Sequence, residues 1–405
     1  MRYWIRKYRQ KILAVSSLFI LGAGFWFVPK FFNEIYEVDG SIIKKSDKNN
    51  TDGDGFKATH IVIPKPVKAL YMTSWIAGRP DLRERVLNII YETEVNSVVI
   101  DIKDDTGRIS FQVYDPTLIK VGSEELRIAD LREFIKRLHE RGVYVIGRVS
   151  SFQDPHMVKL HPEWAVKRKS DGGIWKDRKG LSWIDPGTKE MWEYLALIGR
   201  ESYRAGFDEI NYDYIRFPSD GDMTNIAYPY SGTGGTFSKP EIVKNYFAYL
   251  VPKLKSPEFI GDGKNVPIVS ADLFGMTTTA SVGNDLNIGQ VFENAIYYFD
   301  YVAPMVYPSH YPPHFEGYVN PNTVPYEIVK TAMDGAVSKI QSLATTSPAY
   351  DYKKVRPWLQ DFDYGGEYGV AEVQAQIKAT YDAGLDSWMI WDPNNKYTRG
   401  AYLDE

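Results

Sequence analysis

The sequence predicts an α/β protein, a (β/α)8 barrel of the TIM type preceded by one N-terminal transmembrane helix. Eight short runs rich in β-branched and aromatic residues recur along the chain, and stretches with helical spacing separate them. Such alternation indicates a parallel sheet covered by helices. No glycine-rich phosphate-binding turn follows the first run, which favours a closed barrel over a doubly wound open sheet. An uncharged stretch near the N-terminus supplies the transmembrane prediction.

The basic N-terminal stub, residues 1–11, carries five Lys or Arg side chains, and residues 12–28 carry no charge. An uncharged stretch of seventeen residues lies at the short end for a membrane span. Because the basic flank stays in the cytoplasm, the rest of the chain is expected outside. We therefore predict a single-pass anchor in the cell membrane, with the N-terminus inside. Cleavage as a signal peptide, followed by secretion, is the alternative.

Residues 29–65 form the next predicted segment, which is mainly polar and has neither helical nor strand periodicity. This composition predicts a flexible tether between the anchor and a barrel that spans residues 66–405. A chain that starts near Pro64 is therefore expected to fold without the tether.

The eight predicted strands are short runs of the barrel region. In order, these runs are VKALYMTSW, NSVVIDIKDD, GVYVIGRVS, DEINYDYIRF, VPIVSADLFG, DYVAPMVYP, VRPWLQDFD and DSWMIWDPN. Three of the helical stretches end in Gly, a common signal for a helix C-terminus. Only about a dozen residues follow the last run, so the eighth helix is expected to be short or missing.

The whole composition excludes several classes of chemistry. The 405 residues include no cysteine, which rules out disulfides, thiol catalysis and zinc–thiolate sites. The net charge is −4 with acids and bases interspersed, so a nucleic-acid surface is not expected. His310 and His314 have two prolines between them, which is incompatible with the helical spacing of a zincin site. We predict neither a metal nor another cofactor.

Polar residues concentrate at the C-terminal ends of the predicted strands, where barrel enzymes have their active sites. They are Asp101, Arg148, Asn211, Asp213, Arg216, Asp272, Tyr307, Gln360 and Asp392. A carboxylate after a strand often caps the next helix, so a single Asp says little. Asp213 and Asp272, however, lie in register inside their strands, where an unused carboxylate would be costly to bury.

Paired carboxylates surrounded by aromatic residues are the groups that glycoside hydrolysis requires. One attacks or orients water, and the other protonates the leaving oxygen. Because neighbouring strands lie about 4.8 Å apart, Asp213 and Asp272 could approach the spacing of retaining enzymes. Aromatic residues near the strand ends are candidates for stacking on sugar rings: Trp75, Tyr214, Trp358 and Trp391.

A long segment after the third strand contains Trp164, Trp175 and Trp183. These tryptophans either line a cleft that binds sugars or attach the long segment to the barrel, and the sequence leaves both interpretations open.

Several motifs together resemble the putative glycosyl hydrolase domain family of bacterial (β/α)8 proteins, which are distantly similar to alpha-amylase and endo-galactosaminidase type glycoside hydrolases. They are NSVVIDIKDDTG, VYVIGRVSSFQDP, GFDEINYDYIRFPSDG, SADLFGM, APMVYPSHY, RPWLQDF and MIWDPNN. The resemblance covers roughly Pro66 to Tyr402.

The resemblance implies that Asp213 is the nucleophile and Asp272 the proton donor. This chain differs from those relatives in having Asp rather than Glu on strand five, and Asn211 rather than Arg two residues before Asp213. The expected function is hydrolysis of a cell-envelope or extracellular polysaccharide. A barrel that binds carbohydrate without cleaving it is the alternative, and a metal-dependent polysaccharide deacetylase is a weaker one, because no strand end carries His.

Overall fold

A computed structural model describes residues 56–232, 237–261 and 265–404. In this part of the chain, eight parallel strands close into a barrel in sequence order. The strands are β1 (Lys68–Met72), β2 (Ser97–Lys103), β3 (Tyr144–Ser150), β4 (Glu209–Asp213), β5 (Ile268–Phe274), β6 (Tyr301–Met305), β7 (Trp358–Gln360) and β8 (Trp388–Trp391). Each begins within three residues of its predicted run, so the barrel prediction is confirmed.

Helices lie between the strands, and several have the end signals that the sequence carries. Asp115, Asp154 and Ser256 each cap a helix with the side chain, and proline follows each cap. The helices are α1 (Ser74–Ala77), α2 (Pro80–Glu92), α3 (Pro116–Val121), α4 (Leu131–Glu140), α5 (Pro155–Leu160), α6 (Lys189–Ala205), α7 (Lys239–Leu254), α8 (Pro257–Ile260), α9 (Phe292–Tyr298), α10 (Pro325–Leu343) and α11 (Val370–Asp382).

The chain after β8 forms one short 3-10 turn at Arg399–Ala401, and no α-helix follows β8 up to residue 404. The expectation of a short or missing eighth helix is therefore confirmed. Within the described ranges, no helix is both long and apolar enough to cross a membrane. The predicted anchor, residues 12–28, lies outside those ranges.

Two apolar layers build the barrel. The larger packs the outer faces of the strands against the helices and includes Ile210 and Tyr212 of β4. The smaller fills the lumen, with Val99, Ile146 and Met389 among its members. Because side chains alternate along a strand, the other three residues of β4 point into the lumen. A strand face with two carboxylates and an amide is thus an interior face of the barrel.

The segment just before β1 differs from its prediction. Residues 56–65 belong to the predicted flexible tether, yet Ile61 and Ile63 pack against the lumen cluster. The Ile61 N–H donates to Asp208 Oδ1 at 2.8 Å, at the N-terminal end of β4. The lack of periodicity predicted that this segment would not pack on the barrel. It packs there through only two apolar side chains, which are too few to form a periodic pattern. The rest of the predicted tether, residues 29–55, lies outside the described residues.

Candidate active site

Arg148 on β3 lies at the centre of a buried acidic cluster in the upper lumen. Its Nη1 donates to Asp101 Oδ1 at 2.8 Å, and its Nε donates to Asp213 Oδ2 at 3.2 Å. Nη2 also donates to Asp213 Oδ2. Asp272 Oδ2 is 3.7 Å from Nε. One guanidinium therefore joins carboxylates from three neighbouring strands, β2, β4 and β5.

Strand register explains why these side chains meet. Arg148 is paired with Asp101 on one side and with Asn211 on the other. The pairing of β2 with β3 shifts between Asp101 and Lys103, which is an irregularity of the kind found next to many active sites. All of these residues lie in the C-terminal halves of their strands, which is the end of the barrel where catalytic groups gather.

Asp213, the last residue of β4, has both carboxylate oxygens engaged. Oδ2 accepts from Arg148, and Oδ1 accepts the Tyr214 N–H at 2.6 Å. Tyr214 adopts φ of 53°, a left-handed conformation that is unfavourable for a bulky residue. This backbone turn directs the Tyr214 amide at the carboxylate, so local strain contributes to holding Asp213 in place.

Asp272 on β5 is almost wholly enclosed, with a relative exposure of 1%. Its Oδ1 accepts from Trp358 Nε1 at 2.7 Å and from Asn211 Nδ2 at 3.0 Å. Burial, and then the nearby Asp213 charge, raise the pKa of Asp272 to about 8. At neutral pH the group is therefore mainly protonated. Because both donors use Oδ1, the proton belongs on Oδ2, the oxygen nearer to Arg148.

Tyr71 on β1 is a member of the cluster that the sequence analysis missed. Its hydroxyl donates to Asp101 Oδ2 at 2.5 Å, and its ring stacks on Trp391 with centroids 3.7 Å apart. The Arg148 guanidinium lies 5.0 Å from the centre of the Trp391 ring. The two-residue period of β1, which puts Leu70 and Met72 against the helices, would have placed Tyr71 in the lumen. Its partnership with Asp101 had no sequence signal.

Burial also raises the pKa of Asp101, the third carboxyl of the cluster. Tyr307, which follows β6, is mostly buried, and its pKa is raised by burial and by the charges of Asp272 and Asp213. Trp358 contributes both its ring to the lumen cluster and its N–H to Asp272. These predicted residues therefore gather around the same carboxylates.

Two predicted substrate-binding residues, Gln360 and Asp392, form side-chain hydrogen bonds with nearby loops instead. Gln360 accepts from Ser309 Oγ at 2.8 Å and donates to the Phe362 carbonyl at 2.9 Å, which joins the loops after β6 and β7. Asp392 Oδ1 accepts the N–H groups of Asn394 and Lys396 in the loop after β8. Both shape the rim of the site by holding its loops.

Among the tryptophans of the long segment after β3, Trp175 and Trp183 fit the structural interpretation, and Trp164 is half-buried and stacks on His161 with ring centroids 3.8 Å apart. Trp175 and Trp183 are buried, and their indole N–H groups donate at 2.9 Å to the Asp222 carbonyl and to Asp177 Oδ2. Trp175 thereby joins the segment to the loop after β4. Trp183 forms its hydrogen bond inside the segment and packs its ring edge-on against Tyr214, just after β4. Trp75, just beyond β1, is 57% exposed, and Arg127 lies 4.3 Å from its ring centre.

Arg216 lies apart from the Arg148 cluster. Its guanidinium is within about 5 Å of three aromatic rings, those of Trp183, Tyr214 and Phe274. Across the described ranges, no group of three or more His, Asp or Glu residues is arranged to hold a metal ion.

A model of the family described as "Putative glycosyl hydrolase domain" matches residues 69–397. The match extends from the second residue of β1 to the loop after β8 and so includes every strand of the site. No curated protein sequence matches the chain.

Solved structures with similar folds include glycoside hydrolases. The glycoside hydrolase domain of PgaB (BpsB) from Bordetella bronchiseptica is 12% identical, with a TM-score of 0.57 over 84% of this chain and 99% of its own. Alpha-L-fucosidase isoenzyme 2 from Paenibacillus thiaminolyticus is 12% identical, with a TM-score of 0.52 over 84% of this chain and 47% of its own. A hypothetical protein from Ruminiclostridium thermocellum is 33% identical over 50% of this chain and 96% of its own, with a TM-score of 0.43.

Proposed function

Because the chain belongs to this family of glycosyl hydrolase domains, we propose that it cleaves a polysaccharide with Asp213 as nucleophile or water-orienting base and Asp272 as proton donor. The observation that carries the proposal is the asymmetry of the pair. Asp213 is ion-paired with Arg148, whereas burial and the neighbouring charge raise the pKa of Asp272 to about 8. Two carboxyls with separated protonation states are what acid–base cleavage of a glycosidic bond needs.

The proposed reaction begins with protonation of the glycosidic oxygen by Asp272 Oδ2 as the bond to the anomeric carbon breaks. Asp213 then either forms a bond to that carbon or holds the water that does so. Deprotonated Asp272 gains the attraction of Arg148, whose Nε already lies 3.7 Å away. If Asp213 has bonded to the anomeric carbon, Asp272 takes a proton from water as that water attacks the carbon and displaces the Asp213 carboxylate, which restores the starting state. If Asp213 instead holds the water, Asp213 takes that proton, and exchange with solvent restores both carboxyls.

The distances favour retention of configuration. Asp213 Oδ2 and Asp272 Oδ2 lie 3.2 and 3.7 Å from the same Arg148 nitrogen. These two oxygens cannot be more than about 7 Å apart, which includes the roughly 5–5.5 Å of retaining enzymes and only the lower edge of the inverting range. The proposal is therefore that Asp213 forms a covalent glycosyl intermediate.

The substrate would enter over the aromatic residues at the C-terminal end of the barrel. Trp391 is part-exposed and lies beside Arg148 and its carboxylates, so its exposed part is the proposed contact for a sugar ring. Trp75 offers an exposed indole farther out, at the start of α1. Asn211 acts through Asp272, which it holds by a hydrogen bond, rather than on the sugar.

Non-catalytic carbohydrate binding is the alternative function. It is favoured by Asp272, a shorter residue than the Glu expected on strand five, and by its enclosure at 1% exposure. Release of reducing ends from a panel of polysaccharides separates the two functions. Hydrolysis that disappears in Asp213→Asn while binding remains supports the enzyme, and retention of polysaccharide without any release of reducing ends supports the binding module.

We also propose that the barrel acts outside the cytoplasm on a cell-envelope or extracellular polysaccharide, held to the membrane by residues 12–28. The support is the sequence alone, namely a basic stub before an uncharged stretch. Protease added to intact cells should then remove the barrel and spare the stub. Protection of the barrel would contradict this orientation, and a barrel found free in the medium would indicate cleavage and secretion.

A further inference from the structure

Arg216 is a buried cation that forms no ion pair with any described residue, and the charges of Asp213, Asp220 and Asp177 act on it only from farther away. It is 8% exposed. Its Nη1 donates to the Phe217 carbonyl at 3.0 Å and to Ser219 Oγ at 3.3 Å. Buried Arg side chains are normally paired, so this arrangement calls for a reason.

Two nitrogens of the Arg216 guanidinium lack an acceptor in the part of the chain that the structure describes. Within the described residues, Nε and Nη2 of Arg216 have no hydrogen-bond acceptor, and neither nitrogen is among the polar atoms that are both sealed from solvent and unpartnered. Both nitrogens therefore retain some contact with solvent. Arg presents its N–H groups as a planar fork that matches the two oxygens of a carboxylate or phosphate.

The position of Arg216 connects this fork to the proposed catalytic pair. Its guanidinium lies 5.1 Å from the ring centre of Tyr214 and 4.6 Å from that of Phe274. Tyr214 directly follows Asp213, and Phe274 lies two residues after Asp272. Arg216 is thus held at the ends of β4 and β5, beside the site.

A basic hairpin, residues 176–181, lies close to Arg216. Lys176, Arg178 and Lys179 are exposed on this hairpin, and none of the three has an acidic partner in the described part of the chain. Buried Asp177 fixes the turn by accepting the N–H groups of Lys179 and Leu181 at 3.0 and 2.9 Å.

One contact and one electrostatic influence place this hairpin beside the site. A Cβ at Gly221, in the loop after β4, would meet Asp177 Cα at 3.2 Å, so the hairpin and that loop touch. Burial and then the charge of Lys179 lower the pKa of His310, which lies beyond β6 on another side of the opening. The hairpin therefore extends positive charge from Arg216 across the rim.

We propose that Arg216 and the hairpin of residues 176–181 form an anionic subsite, so that the polysaccharide carries a carboxylate or phosphate on the sugar next to the cleaved bond. This inference rests on the proposed function and adds the substrate class to it. The anion replaces the acidic partner that Arg216 lacks, while the three aromatic rings hold the guanidinium in a fixed plane. The exposed hairpin cations attract further charges along the polymer.

The experiment measures binding in an Asp213→Asn background, so that no polymer is consumed. Affinity electrophoresis compares polygalacturonate with its carboxyl-reduced, neutral form, and polyglycerol phosphate represents the phosphate source. We expect polygalacturonate or polyglycerol phosphate to bind at least tenfold more tightly than the neutral polymer. Arg216→Gln should remove most of that difference, and Arg216→Lys should keep part of it.

Two further variants keep the test decisive if Arg216→Gln is unstable. Lys179→Ala should weaken binding of the anionic polymer several-fold and leave the melting temperature unchanged, because its side chain is exposed. Lys244→Ala, on the exposed face of α7, should change neither binding nor stability. Equal binding of charged and neutral polymers, or equal loss in both lysine variants, would overturn the subsite. Failure of the proposed function would be visible separately, as wild-type protein that binds a polymer without releasing reducing ends.

Discussion

The barrel lumen contains two buried arginine clusters that differ in composition and depth. In the lower one, Arg356 pairs with Glu209 at the N-terminal end of β4, and both side chains are fully enclosed. In the upper one, Arg148 meets Asp101, Asp213 and Asp272 at 5–8% side-chain exposure except for Asp272 at 1%. The lower cluster balances one cation with one anion, and the upper cluster has an excess of acid.

Hydrogen bonds reinforce the difference. Glu209 also accepts from Ser270 Oγ at 2.5 Å and Tyr144 Oη at 3.2 Å, so its oxygens are satisfied by the protein. In the upper cluster the acid in excess keeps a proton on Asp272 instead. A balanced, sealed pair suits support of the barrel, whereas an unbalanced pair beneath an opening suits chemistry. The N-terminal face of such barrels serves stability and the C-terminal face serves function.

Asp213→Asn should give the largest effect. The substitution keeps the side-chain shape and removes the nucleophile, so glycan hydrolysis should fall by several orders of magnitude, on the order of 10³-fold or more. The melting temperature should stay similar or rise slightly, because Arg148 keeps Asp101 and gains a more easily ionised Asp272. Reducing-end assays and thermal unfolding measure the two. If Asp213→Asn is instead largely unfolded, and the molecules that remain folded hydrolyse glycan as fast as the wild type does, then Asp213 is a structural partner of Arg148.

Glu209→Gln is the matched change in the lower cluster and should show the opposite behaviour. It leaves the Arg356 charge buried and uncompensated, which typically costs about 3–5 kcal/mol of folding free energy. Hydrolysis per folded molecule should stay close to that of the wild type, because Glu209 lies at the other end of β4. Denaturant unfolding measures the loss of stability, and hydrolysis rates divided by the concentration of folded protein measure the activity. A specific loss of activity without a loss of stability would remove the distinction between the clusters.

Asp272→Asn should change the pH dependence of both activity and stability. In the folded wild type the pKa of Asp272 is about 8, above its unfolded value, so the folded state binds the proton more strongly. The contribution of Asp272 to the free energy of unfolding should therefore be greatest below pH 4 and should decline as pH rises towards 8. Activity should fall above about pH 8, where the proton donor is lost.

In Asp272→Asn that decline in stability should disappear, and at pH 8 the variant should melt at a higher temperature than the wild type. Thermal unfolding from pH 4 to 9 measures the effect, with Asp101→Asn as the comparison within the same cluster. Parallel pH profiles for wild type and Asp272→Asn would mean that Asp272 is ionised throughout, and it could not then act as the acid.

The smallest effect concerns the segment that closes the lumen below the Arg356 cluster. A chain that starts at Pro64 loses the packing of Ile61 and Ile63 and the hydrogen bond from Ile61 to Asp208. Compared with a chain that starts at Phe56, it should be less stable by about 1–3 kcal/mol. Thermal unfolding of the two chains side by side measures the difference, and identical melting temperatures would restore the prediction that the whole segment before Pro64 is dispensable.

Much of the site was predictable because a barrel repeats one rule. The C-terminal ends of parallel strands converge, so Asp101, Arg148, Asp213 and Asp272 could be assigned to one region from their places in the strands. The assignment was weaker for Gln360 and Asp392. A polar side chain at a strand end looks the same in sequence whether it faces the opening or holds a loop, and these two hold loops.

The sequence by itself determined the strand–helix alternation, the inward face of β4 and the concentration of acids at one end of the barrel, since these follow from local periodicity and chain order. Only the tertiary structure decided which acids share Arg148, that Tyr71 joins Asp101, and that Arg216 lies between aromatic rings with no ion pair among the described residues. These pairings depend on register between strands that are far apart in the chain. The pKa of Asp272 depends on burial and on the distance to Asp213, and neither quantity is encoded at any single position of the sequence.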